Sequence, residues 1–358
     1  MRFLFKTNYQ QDVRLFTHGG QVFWYTVLGV LLLVAPFILS EYVLSQLVFV
    51  LIYSIVGFGL MVLTGYTGQV SLGHAAFLGV GAYTEALLQS HGVPFFISIP
   101  CAAIMAGGVG VIVGLPALRL RGLYLAIATL AFGIIVEEIL TRWESVTGGG
   151  AGKHVKPVSF FGVPLDADET FYYLCLFVVV VCALGVLNLM RSPTGRAFIA
   201  IRDSEVSAAS LGISLARYKT LSFAISAALT GLAGALYAHK LSFITPEQFG
   251  LLVSIELITI VILGGAGALH GAVFGSIILI VLPQLIAIAK DFLPEGVGSQ
   301  TGLQSFVFGA VLVGFILFEP MGLYGRWLKI RTYFSLFPFY RRGLFRRQKV
   351  YMKSDRLK

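Results

Sequence analysis

Long apolar runs separated by short polar connections dominate the chain. Ten such runs fall at 22–39, 43–63, 74–89, 95–115, 123–140, 171–190, 221–238, 252–264, 271–289 and 304–318. A helix needs roughly 20 apolar residues to cross the roughly 30 Å hydrocarbon layer. The pattern therefore predicts an all-α fold, a polytopic transmembrane bundle of about ten spans. The third and eighth runs are short enough to be broken or re-entrant, which sets the range at eight to ten. A transmembrane barrel would need segments of about ten residues with strict alternation. Runs 22–39 and 172–189 are apolar without alternating, which excludes it.

Lysine and arginine set the orientation, because they are enriched in cytoplasmic loops. They cluster in the N-terminal arm (Arg2, Lys6, Arg14), after the fourth run (Arg119, Arg121) and after the sixth (Arg191, Arg196, Arg202, Arg217, Lys219). Eleven of the 26 basic residues follow from Arg326 onward. With ten crossings these groups share one side, so both termini are expected in the cytoplasm. The opposite side holds the acidic loop 141–170, with Glu144, Asp166, Asp168 and Glu169, and the sparsely charged segments 240–250 and 290–302. The division expected is a cytoplasmic arm (1–21), a permease domain (22–323) containing a cytoplasmic loop (191–219), and a basic cytoplasmic tail (324–358). The first run lacks a small-x-small cleavage site and reads as an uncleaved helix.

Composition agrees with this reading. The chain of 358 residues is 57% hydrophobic and 12% charged, with a mean hydropathy of +0.86, where soluble domains carry about 25% charged residues. The net charge of +9 follows from the basic tail beside the last run, an arrangement that anchors to anionic lipid rather than nucleic acid. Cys101, Cys175 and Cys182 lie inside apolar runs with no metal-ligand spacing and read as packing residues. Small residues recur four apart in three rows: Gly267, Gly271, Gly275; Gly264, Ala268, Ala272, Ser276; and Ala227, Gly231, Ala235. Such rows let helix backbones approach closely.

Three places hold polar chemistry. Gly65-Tyr66-Thr67-Gly68-Gln69-Val-Ser71-Leu-Gly73-His74 is the most polar short stretch between two apolar runs. It reads either as irregular backbone lining a pathway, where a following helix N-terminus suits a carboxylate, or as a plain turn with Ser71 as N-cap. Glu256 lies inside the eighth run, where a carboxylate is costly and faces the bundle interior, lining a path or bonded at a helix break. In the loop 191–219, Phe198, Ile201, Glu205, Ala208 and Ala209 fall at helical spacing and Gly212 ends the pattern. This predicts a short helix presented to a partner's groove. The stretch Thr147-Gly-Gly-Gly-Ala-Gly-Lys-His154 departs from a phosphate loop at its first and last positions. No catalytic constellation or metal set is evident, so the chain is expected not to be an enzyme.

The runs Gly65–Phe77, Gly114–Ile127, Arg196–Glu205, Gly231–Tyr237 and Gly264–Gly271 resemble, in order, the permeases of branched-chain amino acid importers of the LivM type. The likeness covers about 43–322. It implies an inner-membrane ATP-binding-cassette importer that moves leucine, isoleucine, valine or related amino acids. Its partners would be a second permease subunit, two cytoplasmic ATPase subunits that use ATP and Mg, and a periplasmic amino acid-binding protein. This chain itself would carry no cofactor. The loop 191–219 would be the coupling segment, with Arg202, Asp203, Glu205, Ala208, Ala209 and Gly212 at the contact. Permeases for urea, short amides or aromatic compounds share these motifs. A self-sufficient channel or carrier is the competing class, and it would prefer a chain of ionisable residues through the spans, where only Glu256 is apparent.

Overall fold

A computed structural model describes residues 19–118, 120, 122–160, 163–164, 168–290, 302–319 and 321–336. Arg2, Lys6, Arg14, Arg119, Arg121, Asp166, the stretch 291–301 and the tail beyond 336 lie outside the described residues. The helices are α1 (Gly19–Ile38), α2 (Glu41–Leu60, continued by a π-helical turn Met61–Tyr66), α3 (His74–Ser90), α4 (Phe95–Ala117), α5 (Leu123–Arg142) and α6 (Glu144–Thr147). They continue as α7 (Asp168–Arg191), α8 (Pro193–Asp203), α9 (Glu205–Ser210), α10 (Leu215–Leu241), α11 (Leu251–Gly264), α12 (Leu269–Lys290), α13 (Leu303–Phe318) and α14 (Gly322–Leu336). Four two-residue strands lie in the loops. β1 (Lys153–His154) pairs antiparallel with β4 (Phe243–Ile244), and β2 (Ser159–Phe160) with β3 (Val163–Pro164).

Eight helices among the described residues are long and apolar enough to cross a membrane. α3, with 17 residues, and α13, with 16, are shorter. Large apolar side chains stand exposed on α1 (Phe23, Trp24, Phe37), α4 (Ile104, Ile112) and α7 (Phe177). In a soluble protein this shell would be unstable; against lipid it is the expected exterior. Cys175 and Cys182 are buried packing residues of α7.

The loop 191–219 forms two short helices rather than the single one that its spacing predicts. Ser192 caps α8, accepting from Gly195 N at 3.4 Å, and Pro193 sits at its first turn. Ser204 turns extended and caps α9, accepting from Ser207 N at 3.2 Å. A serine at that point offers the backbone a capped restart, which helical periodicity cannot reveal.

α10 is the axis of the fold. On α4 it packs antiparallel, with Gly110 against Ala227 and Gly114 against Phe223 and Thr220. On α3 it packs parallel, and a Cβ on Gly81 would lie 2.0 Å from the Gly231 carbonyl oxygen. Backbones this close tolerate only glycine. The predicted row through Ala227 and Gly231 is thus an interface. The rows in 264–276 are too: a Cβ on Gly264 would meet Gly271 O at 1.8 Å, and Gly57 of α2 faces Ala272.

Measured along α10 at 1.5 Å per residue, Ser226 lies about 10 Å from Lys219, and His239 about 20 Å further. His74, the first residue of α3, bonds Ser226, and Glu85 of α3 bonds His239. α3 therefore begins inside the membrane thickness and runs to the His239 end. α11 begins beside it, where Ser254 Oγ accepts from Ala75 N at 3.1 Å. It runs the opposite way, and just past its end Gly267 N lies 3.2 Å from Met61 Sδ. Irregular backbone leads into each half-helix. In chain order, α2–break–α3 and α10–break–α11 share one pattern, a long helix followed by an irregular stretch and a shorter helix, and α3 and α11 run in opposite directions.

Candidate functional site

The first break starts where α2 loosens into its π-helical turn. Thr67 Oγ1 donates back to Val62 O at 2.8 Å, Gln69 N to Leu63 O at 3.0 Å, and Thr64 Oγ1 to Gln69 O at 3.0 Å. Gly68 adopts φ +75°, which glycine takes without strain. Its missing side chain leaves room for Arg202 of α8, whose Cγ lies 3.2 Å from an ideal Cβ. Arg202 Nη1 donates to Gly65 O at 3.2 Å, while its Nε and Nη2 hold Asp203 Oδ1 at 3.1 and 2.9 Å. Tyr66 is half-buried beside them.

From Gln69 the chain climbs into the bundle. Gln69 Nε2 donates to Ser222 Oγ at 2.8 Å, and Leu72 N donates to Thr129 Oγ1 of α5 at 3.0 Å. The His74 ring is fully buried between Ser71 Oγ at 2.9 Å and Ser226 Oγ at 2.8 Å. Gly73, not Ser71, occupies the N-cap position. An added Cβ on Gly73 would lie 2.0 Å from Thr129 O. Thr67, Gln69 and Ser71 are buried. Hydroxyls from α5 and α11 thus satisfy backbone N–H groups of this stretch, and hydroxyls from α10 its Gln69 and His74 side chains. Gln69 Oε1 has no partner in this conformation.

The 191–219 helices join the same region. Glu205 of α9 pairs with Lys219 of α10 at 2.6 Å, and the lysine side chain is 4% exposed. Ala208 is buried, while Ala209 and Gly212 are exposed. Glu256 stands apart. Its side chain is exposed on α11 next to exposed Leu252 and Ile255, so this chain does not cover it. Tyr53 and Tyr237 are its electrostatic neighbours.

Sequence reasoning passed over a second polar cluster at the other end of α10. Glu85 Oε1 accepts from Ser98 Oγ of α4 at 2.6 Å and lies 2.9 Å from His239 Nε2. Both Glu85 and His239 are buried, and His239 Nδ1 sits 3.1 Å from Lys156 O. Gln89 brackets Lys156, donating to its carbonyl at 2.7 Å and accepting from its N–H at 2.8 Å. The glycine-rich stretch 147–154 packs here as the turn leading into β1. Within it, burial lowers the pKa of Lys153, whose Nζ donates to Val146 O at 3.0 Å. The signal available was Glu85 inside the third apolar run and His239 just past the end of the seventh.

A multi-pass helical protein with two oppositely running half-helices and a polar break tied to a surface helix pair has the make-up of a membrane permease. The chain belongs to the family described as branched-chain amino acid transport system / permease component, whose model matches residues 42–316. It is 35% identical over 328 residues to the "High-affinity branched-chain amino acid transport system permease protein LivM" of Escherichia coli (strain K12), covering 85% of this chain and 75% of that one. It is also 35% identical over 313 residues to the protein of that name from Salmonella typhimurium, covering 80% and 71%. LivH of Escherichia coli (strain K12), a permease protein of the same system, is 24% identical over 296 residues, covering 76% and 91%. No solved structure matches the chain.

Proposed function

We propose that this chain is the transmembrane subunit of an ATP-driven importer of leucine, isoleucine and valine in the bacterial inner membrane. The observation that carries it is the pair of half-helices that begin together inside the membrane and connect, through the 65–74 break, to the α8–α9 helices. The LivM and LivH likenesses support a second permease partner. Two ATPase subunits using ATP and Mg, and a periplasmic binding protein, complete the assembly. Counting α3 with its break, and α13, gives ten crossings. An even number puts both termini, the basic tail and α8–α9 on the cytoplasmic side. The arm 1–21, the permease domain 22–323 and the tail 324–358 divide the chain.

α9 is the coupling helix in this reading. It presents Val206 and, at its end, Leu211 at 74% and 78% exposure, large apolar knobs for a groove on an ATPase. Ala209 and Gly212 lie open between them, while Ala208, Glu205, Arg202 and Asp203 tie the helices to the bundle. The break (Gly65, Tyr66, Thr67, Gly68, Gln69, Ser71, Gly73, His74) rearranges to open the path. An uncovered carboxylate on a membrane-embedded helix is costly against lipid. Glu256 accordingly faces the path or the second permease subunit.

The test is ATP-dependent uptake of labelled leucine into proteoliposomes holding the whole importer, with binding protein supplied. Gly212→Pro and Glu205→Arg should abolish uptake while the membrane subunits still assemble. Uptake that continues without ATPase subunits would mean a self-sufficient carrier. Cysteines placed at Gln69 and Ser71 should change reactivity toward an impermeant thiol reagent with nucleotide state. Labelling indifferent to substrate and ATP would reduce the break to a structural turn.

A further inference from the structure

The coupling reading leaves open how motion at α9 reaches the break. Among the described residues, two polar connections run from the α8–α9 pair toward the break and α10. Arg202 reaches Gly65 O, but its side chain is 37% exposed and shared with Asp203. Such a contact is screened and weak. The second connection is Lys219–Glu205, where a 4% exposed ammonium meets the carboxylate at 2.6 Å. A buried charge resists separation from its partner, because parting leaves it uncompensated in low dielectric.

Lys219 also begins a stripe along one face of α10. Residues 219, 222, 226 and 230 follow at helical spacing, and Lys219, Ser222, Ser226 and Thr230 are all buried. Ser222 Oγ donates to Lys219 O at 2.8 Å and accepts from Gln69 at 2.8 Å. One turn on, Ser226 Oγ holds His74 at 2.8 Å, and Thr230 Oγ1 donates to Ser226 O at 2.9 Å. The stripe therefore begins at the coupling helix and touches both ends of the 69–74 stretch.

We propose that the pair of buried Lys219 and partly exposed Glu205 is the link that turns displacement of α9 into movement of α10, and that Ser222 and Ser226 pass it to Gln69 and His74. Lys219 is thus a positioning residue for transport. It touches neither nucleotide nor the transported amino acid. This inference rests on α9 being the surface that meets the ATPase. Rigid helices moving as bodies on a few stiff contacts are the general way in which packed bundles switch.

The test uses the complete importer in proteoliposomes, in a background with Cys101, Cys175 and Cys182 replaced and Leu72→Cys as reporter in the break. Lys219→Met, Lys219→Arg, and the swap Lys219→Glu with Glu205→Lys are compared with Leu211→Asp, which disturbs only the exposed end of α9. We expect Lys219→Met to keep assembly and ATP hydrolysis, while ATP consumed per leucine moved rises about tenfold. Nucleotide-dependent labelling of the reporter should vanish in that variant. Lys219→Arg and the charge swap should restore both readouts to within about threefold. Unchanged coupling in Lys219→Met would overturn the proposal. So would equal loss of assembly in Lys219→Met and in the swap, since the pair would then be purely structural. If Leu211→Asp leaves uptake and ATPase recruitment intact, the docking reading itself fails. If Leu211→Asp blocks transport and Lys219→Met does not, only the link fails.

Discussion

The two ends of α10 each carry an acid–base pair, wholly buried at the His239 end and with a quarter-exposed carboxylate at the Lys219 end, and they are built for different tasks. At one end Lys219 meets Glu205, which belongs to a six-residue helix with exposed apolar knobs and few other attachments to the bundle. At the other, His239 meets Glu85 of α3, and Ser98 of α4 and the Lys156 carbonyl close the cluster. The first pair ties a peripheral element to the core; the second ties core helices to one another. Between them the Gly81–Gly231 crossing locks α3 to α10 at backbone contact. If α9 is the input, as proposed above, motion at the Lys219 end would pass to the 65–74 break while the His239 end held still.

The sharpest way to break this contrast is to remove the acid at the quiet end. Glu85→Ala leaves the buried His239 facing a cavity and frees Ser98 from its acceptor. Deleting one member of a buried pair costs about 3–5 kcal/mol. The expected result is a large fall in thermal unfolding temperature in detergent. Leucine uptake per assembled importer and ATP consumed per leucine should nevertheless match wild type. A coupling defect in Glu85→Ala would mean that both ends carry motion, and the asymmetry argued here would be lost.

A middle-sized effect should come from Ser226→Ala, between the two ends. It strips His74 Nε2 of its hydrogen-bond partner on α10. Leaving a buried polar group unsatisfied costs about 1–3 kcal/mol. Because Ser226 lies on the stripe, its loss should also loosen the break: Leu72→Cys should label faster in every nucleotide state. A stability loss without faster labelling would place Ser226 with the structural contacts of the His239 end.

Much of this arrangement could be read from the residues. Apolar run length located the eight helices long enough to cross a membrane among the described residues, and marked the third run, α3, as shorter. Rows of glycine and alanine at four-residue spacing located the contacts around Gly231 and Gly264. What pattern could not give was pairing across distance. Lys219 counted as one more cytoplasmic charge until the fold buried it on Glu205. Glu85, inside the third run, and His239, just past the seventh, are 154 residues apart, and nothing local links the two. The Ser204 break between α8 and α9 was hidden because the capped restart preserves the spacing of buried Phe198, Ile201 and Ala208. Glu256 was expected to face the bundle interior, lining a path or bonded at a helix break, and it stands exposed on α11 instead. Its exposure arises because α11 is an edge element whose outer face this chain leaves open.

The smallest effect tests how firmly the His239 end is fastened to its loop. Gln89 makes two hydrogen bonds to the Lys156 backbone, but at an exposed position where water competes. Each is worth about 0.5–1.5 kcal/mol at most, so Gln89→Ala should lower global stability by about 1 kcal/mol or less. Its effect should be local: faster amide exchange around 153–158, with α3 and α10 as protected as in wild type. Lys156 O also accepts from the His239 side of the cluster, so the loop keeps one anchor when Gln89 is gone. Exchange that spreads into α10 would show that the loop, rather than the Glu85–His239 pair, holds this end together. Exchange confined to the loop would leave the buried pair as the fixed point against which the Lys219 end moves.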